Sequence, residues 1–441
     1  MPSPKPVSLP CILAFAALIW APLNQAIAQD ESIATADTQI QAGTYVVPNN
    51  FFGMHINNYG IPWPSQPFAT QRLLASNVGW ANLEPSPGVY NWTWLDKWIA
   101  QAQAHNITLI YTFNDVPQFY SSKPGDSSCS YGNLGLGACD PPEDLNADGS
   151  GTNAHFKSFV NALVSHVGNK IQYWEVWNEP NQPVQWNPTD PVNHPYNQLM
   201  RLESDLRTIV KAANSSALIL TPPPVGAPNG APNWMKGYLA AGGGTNADVI
   251  GFHSYVCHRV WGQYPVAEDV APLISSIKTA MTDYGQQSKP LWITESGWCK
   301  TTYDDFTNEN LQTAFTARFI LLEASGGAAK AYWFQWDGGN GAGTLWLPPS
   351  TLRTPGTAYG QVYDWIGGAT LTSPCAAKGT VWTCTYSRSG GYQAMAVWNT
   401  AGNSSFTFPS QYTQYRSLTG TVTKTSGASV TIGTWPILLE N

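Results

Sequence analysis

Charge is scarce in this 441-residue chain: Lys, Arg, Asp and Glu make up 11% of it, against about 25% in ordinary soluble proteins. The charge present leans acidic, with 28 Asp and Glu against 21 Lys and Arg. That balance excludes the basic surface expected of a nucleic-acid or anionic-membrane partner. Metal-ligand spacing is missing too. There is no C-x-x-C, and the seven His are scattered, so no zinc-type cluster is present. Beyond the N-terminus no stretch stays apolar for about 18 residues, the minimum for a membrane helix. Disorder does not fit, because 43% of the residues are hydrophobic despite 34 Pro and 39 Gly. What the chain has in excess is aromatic rings, including 20 Trp and 20 Tyr. Flat apolar rings either fill a large core or stack on the apolar faces of sugars.

Residues 1–28 read as a secretory signal. Lys5 supplies the positive start, Cys11 to Trp20 is an apolar run, and Ala26-Ile27-Ala28 fits a small-residue cleavage site. The expectation is a secreted or periplasmic protein. Six of the seven Cys follow that segment, an even number suited to disulfides in an oxidising compartment. Two pairs are local, Cys129 with Cys139 and Cys375 with Cys384, and elimination leaves Cys257 with Cys299.

Short apolar strands alternate with amphipathic helices from residue 49 to 366. The strand candidates are Phe51–Ile56, Val78–Leu83, Ile107–Phe113, Ile171–Trp177, Ala217–Thr221, Val249–Ser254, Leu291–Thr294 and Ala331–Trp336. A helix is predicted over Ala69–Ala75 and after each later strand. Eight strands with interleaved helices predict a (β/α)8 TIM barrel. From Gly367 the helical period disappears, and residues 367–441 predict a small antiparallel β-sandwich. Residues 29–48 contain one strand outside the barrel count, placed with the sandwich. The sandwich either packs on the barrel or binds sugar on its own.

Two barrel strands end in carboxylates: Tyr173-Trp174-Glu175-Val176-Trp177-Asn178-Glu179-Pro180 and Leu291-Trp292-Ile293-Thr294-Glu295. Their terminal acids, Glu179 and Glu295, are 116 residues apart (295 − 179). Strand C-terminal ends of such a barrel open into one mouth. There two carboxyls about 5 Å apart can cleave a glycosidic bond with retention, one giving a proton and the other attacking the anomeric carbon. Glu175 shares side-chain parity with Glu179 and points into the barrel below the mouth. A buried carboxylate needs a partner, and Arg72 is the candidate.

These motifs resemble those of clan A glycoside hydrolases, family 39 in particular. Trp177-Asn178-Glu179-Pro180 is similar to the acid/base motif of that clan. Thr294-Glu295-Ser296-Gly297-Trp298 is similar to its nucleophile strand, and Gly251-Phe252-His253-Ser254-Tyr255 to its sixth strand end. The resemblance implies a retaining hydrolase acting on a β-linked poly- or oligosaccharide without a cofactor. It assigns Glu179 as acid/base, Glu295 as nucleophile and Asn178 as the contact to the sugar 2-hydroxyl. Tyr255 would touch the nucleophile, and Trp336 would be a platform under the sugar. His253 is either a pocket residue or a core histidine, and His55 is a further sugar-binding candidate. The clan also carries an Arg at the end of the second strand. Here Trp80, Ala81 and Asn82 occupy the predicted position, with Arg72 upstream in the predicted helix. Trp177, Phe119, Trp261, Trp298 and Trp346 could form several sugar subsites, which leans toward endo action. Exo action on β-xylosides and a non-catalytic carbohydrate binder are the rivals. Asp144, Asn146 and Asp148, in the insertion after the third strand, resemble half of a calcium loop, but His155 stands where its bidentate Glu is needed. Asx-turn chemistry explains the same residues.

Overall fold

The computed structural model describes residues 44–74, 76–129, 135–226, 230–256, 265–298, 306–338, 343–425 and 427–441. The predicted signal segment, most of the strand expected before residue 48, Cys257, Cys299 and Trp261 lie outside them.

Eight parallel strands form the barrel: β1 (Phe52–Met54), β2 (Thr70–Leu73), β3 (Thr108–Thr112), β4 (Tyr173–Glu175), β5 (Leu218–Leu220), β6 (Ile250–His253), β7 (Leu291–Ser296) and β8 (Lys330–Trp333). Except for β5 and β6, each pairs with the next, and β8 pairs with β1. A single parallel bridge, Leu220 with Val249, joins β5 to β6 and closes the circuit. Around the strands lie α1 (Trp80–Leu83), α2 (Thr93–Ala104), α3 (Ala154–Val167), α4 (Asn197–Ala213), α5 (Gly230–Ala240), α6 (Val270–Asp283), α7 (Glu309–Ser325) and α8 (Thr354–Ile366). α4 shows why such segments are helical: Leu199, Leu202, Leu206 and Val210 recur at helical spacing and are buried.

The second strand departs from expectation. Ala69–Ala75 was expected as a helix, yet Thr70–Leu73 is β2, and the predicted strand Val78–Leu83 contains the single-turn helix α1. The cause is the barrel interior. Thr70, Gln71 and Arg72 are buried, so this strand is polar where its neighbours are apolar. Its pattern therefore lacks the hydrophobic run of a buried parallel strand.

α7 has almost no polar face, and every residue from Phe319 to Ser325 is buried. A helix apolar all round must be covered all round. The barrel covers one side and the C-terminal sheet the other, where the Cys375 amide donates to Ser325 Oγ at 2.7 Å. That region holds a seven-stranded antiparallel sheet and a two-stranded sheet, Ser404–Thr407 with Ser429–Ile432. Val397, Phe408, Tyr412, Val430, Ile432 and Leu439 fill the space between them. The strand Tyr45–Val46 joins the edge of the larger sheet, opposite Thr370 and Leu371. Disulfides link Cys129 to Cys139 and Cys375 to Cys384. Among the described residues no helix is long and apolar enough to cross a membrane.

Candidate active site

After β4 the chain bends at Asn178, and Glu179 follows in left-handed backbone with a φ of 42°. Left-handed backbone in a non-glycine residue is uncommon and is typical of functional sites. The turn is held from behind: Trp177 Nε1 donates to the Gln185 carbonyl at 2.8 Å, and Gln182 N donates to the Glu179 carbonyl at 2.9 Å.

Glu295 reaches the same pocket by a different device. β7 pairs with β6 as Ile293 opposite Phe252 and then Glu295 opposite His253. On its other side Ile293 faces Ala331, and Ser296 faces Trp333. Both ladders skip one residue of β7 around Thr294. Such a β-bulge re-aims the side chain that follows it and leaves a backbone group outside the ladder. The Thr294 carbonyl is met by His55 Nε2 at 3.0 Å. A carbonyl only accepts, so His55 is protonated at Nε2.

The two carboxylates and His253 offer oxygen and nitrogen atoms within 4.8 Å of one another. His253 Nδ1 lies 2.9 Å from Glu179 Oε1 and 3.6 Å from Glu295 Oε2. Tyr255 donates its hydroxyl to Glu295 Oε2 at 2.9 Å. Beneath them Arg72, fully buried, reaches three partners: Nε to Glu175 Oε2 at 2.6 Å, Nη1 to Glu295 Oε1 at 2.6 Å and Nη2 to Asn178 Oδ1 at 2.9 Å. Thr112 Oγ1 adds a 2.8 Å bond to Glu175. Arg72 thus stands at the base of the mouth on β2, and its expected place in an outer helix is corrected. The signal was present in the sequence. An Arg that neutralises Glu175 inside a barrel has to lie on a strand.

The two carboxyls differ in environment. Burial pushes Glu179 well above the usual carboxylate range, and the charge of Glu295 adds to it. Burial raises Glu295 as well, but Arg72 and the Tyr255 hydroxyl pull it back. Burial and the Arg72 charge hold His55 and His253 well below their ordinary values, so both are neutral.

The structure therefore brings Glu179, Glu295, Asn178, His253 and Tyr255 together. The aromatic candidates are mostly packed against other rings. Trp298 is buried among Phe306 and Trp333. Trp336 is 1% exposed and lies nearly parallel to Trp346, while Trp177 packs against Trp186. Of the aromatic subsite candidates that are described, Phe119 alone is exposed, at 38%. Asp144 Oδ2 accepts from Thr152 Oγ1 at 2.8 Å and from the first amides of α3. Asn146 donates to Ser150 Oγ, and Asp148 accepts from Ser150 N at 2.9 Å. These side chains are engaged in turn and helix-cap bonds.

Residues 148–359 match the family description glycosyl hydrolase catalytic core, and residues 71–113 match that of beta-galactosidase. No curated protein sequence matches the chain. Among solved structures, a family 39 glycoside hydrolase from Bacteroides cellulosilyticus superposes with a TM-score of 0.66 at 17% identity, covering 89% of this chain and 80% of that one. A monomeric beta-xylosidase from Caulobacter crescentus gives 0.62 at 15%, covering 90% and 97%. A family 30 endoxylanase from Clostridium papyrosolvens gives 0.56 at 14%, covering 91% and 98%. Residues 148–359 thus match a glycosyl hydrolase catalytic core, and the chain shares its barrel fold with these glycoside hydrolase structures.

Proposed function

We propose that this glycoside hydrolase is a secreted retaining enzyme that cleaves a β-linked poly- or oligosaccharide by double displacement. Glu179 is the acid/base, and Glu295 is the nucleophile. One observation carries the reading: carboxylate oxygens within 4.8 Å of each other and His253, close to the spacing of about 5 Å that leaves no room for an intervening water. The environments support the assignment of roles. Glu295, held by Arg72 and Tyr255, is the group favoured as an anion and attacks the anomeric carbon. Glu179 lacks a cation partner of its own and keeps its proton for the leaving oxygen. His253, neutral, can accept from protonated Glu179 or donate to its anion, which suits a group that changes state twice per turnover. Asn178, oriented by Arg72, is the contact to the sugar 2-hydroxyl.

The substrates to test first are β-xylosides and β-xylan, since two of the structural neighbours are described as a beta-xylosidase and an endoxylanase. Burial of Trp177, Trp298 and Trp346 weakens the aromatic argument for endo action. Exo action on β-xylosides is therefore the second reading, and product sizing on defined oligosaccharides decides between them. The mechanism is tested with an aryl glycoside followed by proton NMR. The first-formed product is expected to keep the anomeric configuration. Glu179→Gln is expected to lose about 10²–10⁴ in rate for a poor leaving group and far less for a good one. An inverted first product, or equal losses for both leaving groups, refutes the assignment.

A further inference from the structure

Behind the bulge of β7, on the helix side, lies a carboxyl that the proposed chemistry does not use. Glu323, near the end of α7, is fully buried. Ser254 donates its hydroxyl to Glu323 Oε1 at 2.8 Å, while the Ser296 hydroxyl donates to the Tyr332 carbonyl at 3.2 Å. Ser254 N in turn donates to the Glu295 carbonyl at 3.0 Å. Ser254 stands between His253 and Tyr255, and Ser296 directly follows Glu295. Alternation explains the arrangement. Where His253, Tyr255 and Glu295 face the pocket, the serines beside them face the helices. Glu323 grips the first of them, Ser254.

A carboxyl there is costly. Its Oε2 has no partner, and its surroundings are the apolar layer between barrel and α7. Packing alone would favour leucine at this position. Burial pushes the group up to about 8, so at neutral pH it is an uncharged acid that still accepts from Ser254. α7 is itself held from outside, where Ser325 accepts from the Cys375 amide. The contact at Glu323 thus has a fixed support.

We propose that Glu323 is a positioning residue: from α7 it holds Ser254, just past the end of β6, whose amide meets the Glu295 carbonyl on β7, and so sets where His253, Tyr255 and Glu295 stand in the pocket. The kinetic part of this inference rests on the hydrolytic reading given above, while the geometric part does not.

The test uses the full chain with Glu323→Gln, Glu323→Leu and Ser254→Ala, each read by kcat, KM and a crystal structure. Gln keeps the acceptor without the charge, and its kcat is expected within about threefold of wild type. Leu fills the space without the acceptor. Its kcat is expected to fall by about 10- to 100-fold with KM little changed, since small misplacements of reacting groups have effects of that order. In its crystal structure the Glu295 carboxylate is expected displaced from Arg72 and Tyr255. Wild-type kcat in the Leu variant, equal losses in Gln and Leu, or an undisplaced Glu295 each overturn the proposal. Should the Leu variant not fold, Ser254→Ala removes one hydroxyl only. A severalfold drop in kcat is expected there, and an unchanged kcat overturns the proposal. A wild type that hydrolyses no glycoside refutes the function instead, and the crystallographic comparison still decides the positioning.

Discussion

The end of β4 and the end of β7 solve one problem in two ways. Glu179 stands four residues beyond the last residue of β4, on a turn with left-handed backbone and with His253 as its side-chain partner. Glu295 stands within β7, aimed by a bulge and held by Arg72 and Tyr255. The first support is mostly backbone and leaves the carboxyl free to exchange a proton. The second surrounds the carboxyl with donors and favours the anion. In the proposed mechanism two residues of one type take opposite roles because the elements that deliver them differ.

The comparison is sharpest under Glu295→Gln. It removes the proposed nucleophile, and turnover is expected to fall by about three orders of magnitude or more, read on an aryl glycoside. Retained turnover would erase the asymmetry. Arg72→Met comes next. It leaves Glu175 and Glu295 buried beside each other without their cation, a change worth about 3–5 kcal/mol in chemical denaturation. Arg72 lowers the Glu295 value, so its removal is expected to shift the acid limb of kcat/KM to higher pH. The alkaline limb, set by Glu179, should move less. Equal shifts of both limbs would mean that the cation serves both carboxyls alike.

His55→Ala takes the donor from the Thr294 carbonyl. The expected cost is about 1–3 kcal/mol for an unsatisfied buried group, with kcat falling alongside. A loss of stability without a loss of kcat would separate the bulge from catalysis. The smallest effect is a pH slope. The folded Glu323 value is raised to about 8, while the unfolded one is ordinary. Between about 4.5 and 8 the folded state therefore holds a proton that the unfolded state releases, and stability falls as pH rises through that window. Glu323→Gln cannot ionise and is expected to show a smaller loss between pH 5 and pH 8 in denaturation midpoints. Identical losses would show that this carboxyl is not the one titrating.

Much of this is legible in the sequence. Seven barrel strands announced themselves through buried apolar runs, and paired strand-end glutamates are a residue-level signal. β2 did not, because its Arg72 answers to Glu175, Asn178 and Glu295 on or just past other strands rather than to a hydrophobic layer. The bulge was hidden for a related reason. One added residue changes neither composition nor alternation enough to notice, and it exists only relative to β6 and β8. Aromatic abundance misled in the other direction. Trp177, Trp298, Trp336 and Trp346 are all close to fully buried, so the indole rings near the strand ends pack more than they display. Ring count alone cannot separate a core from a binding platform.

The pairing of Tyr45–Val46 with Thr370 and Leu371 sets the entry and the exit of the barrel about 5 Å apart, one strand spacing. Topologically the barrel is a cassette spliced into the margin of a sheet. Its two ends are already neighbours, so a short linker could join them and new termini could be opened in a surface loop without redrawing the circuit of eight strands. The same seam would accept a foreign barrel with similarly spaced ends.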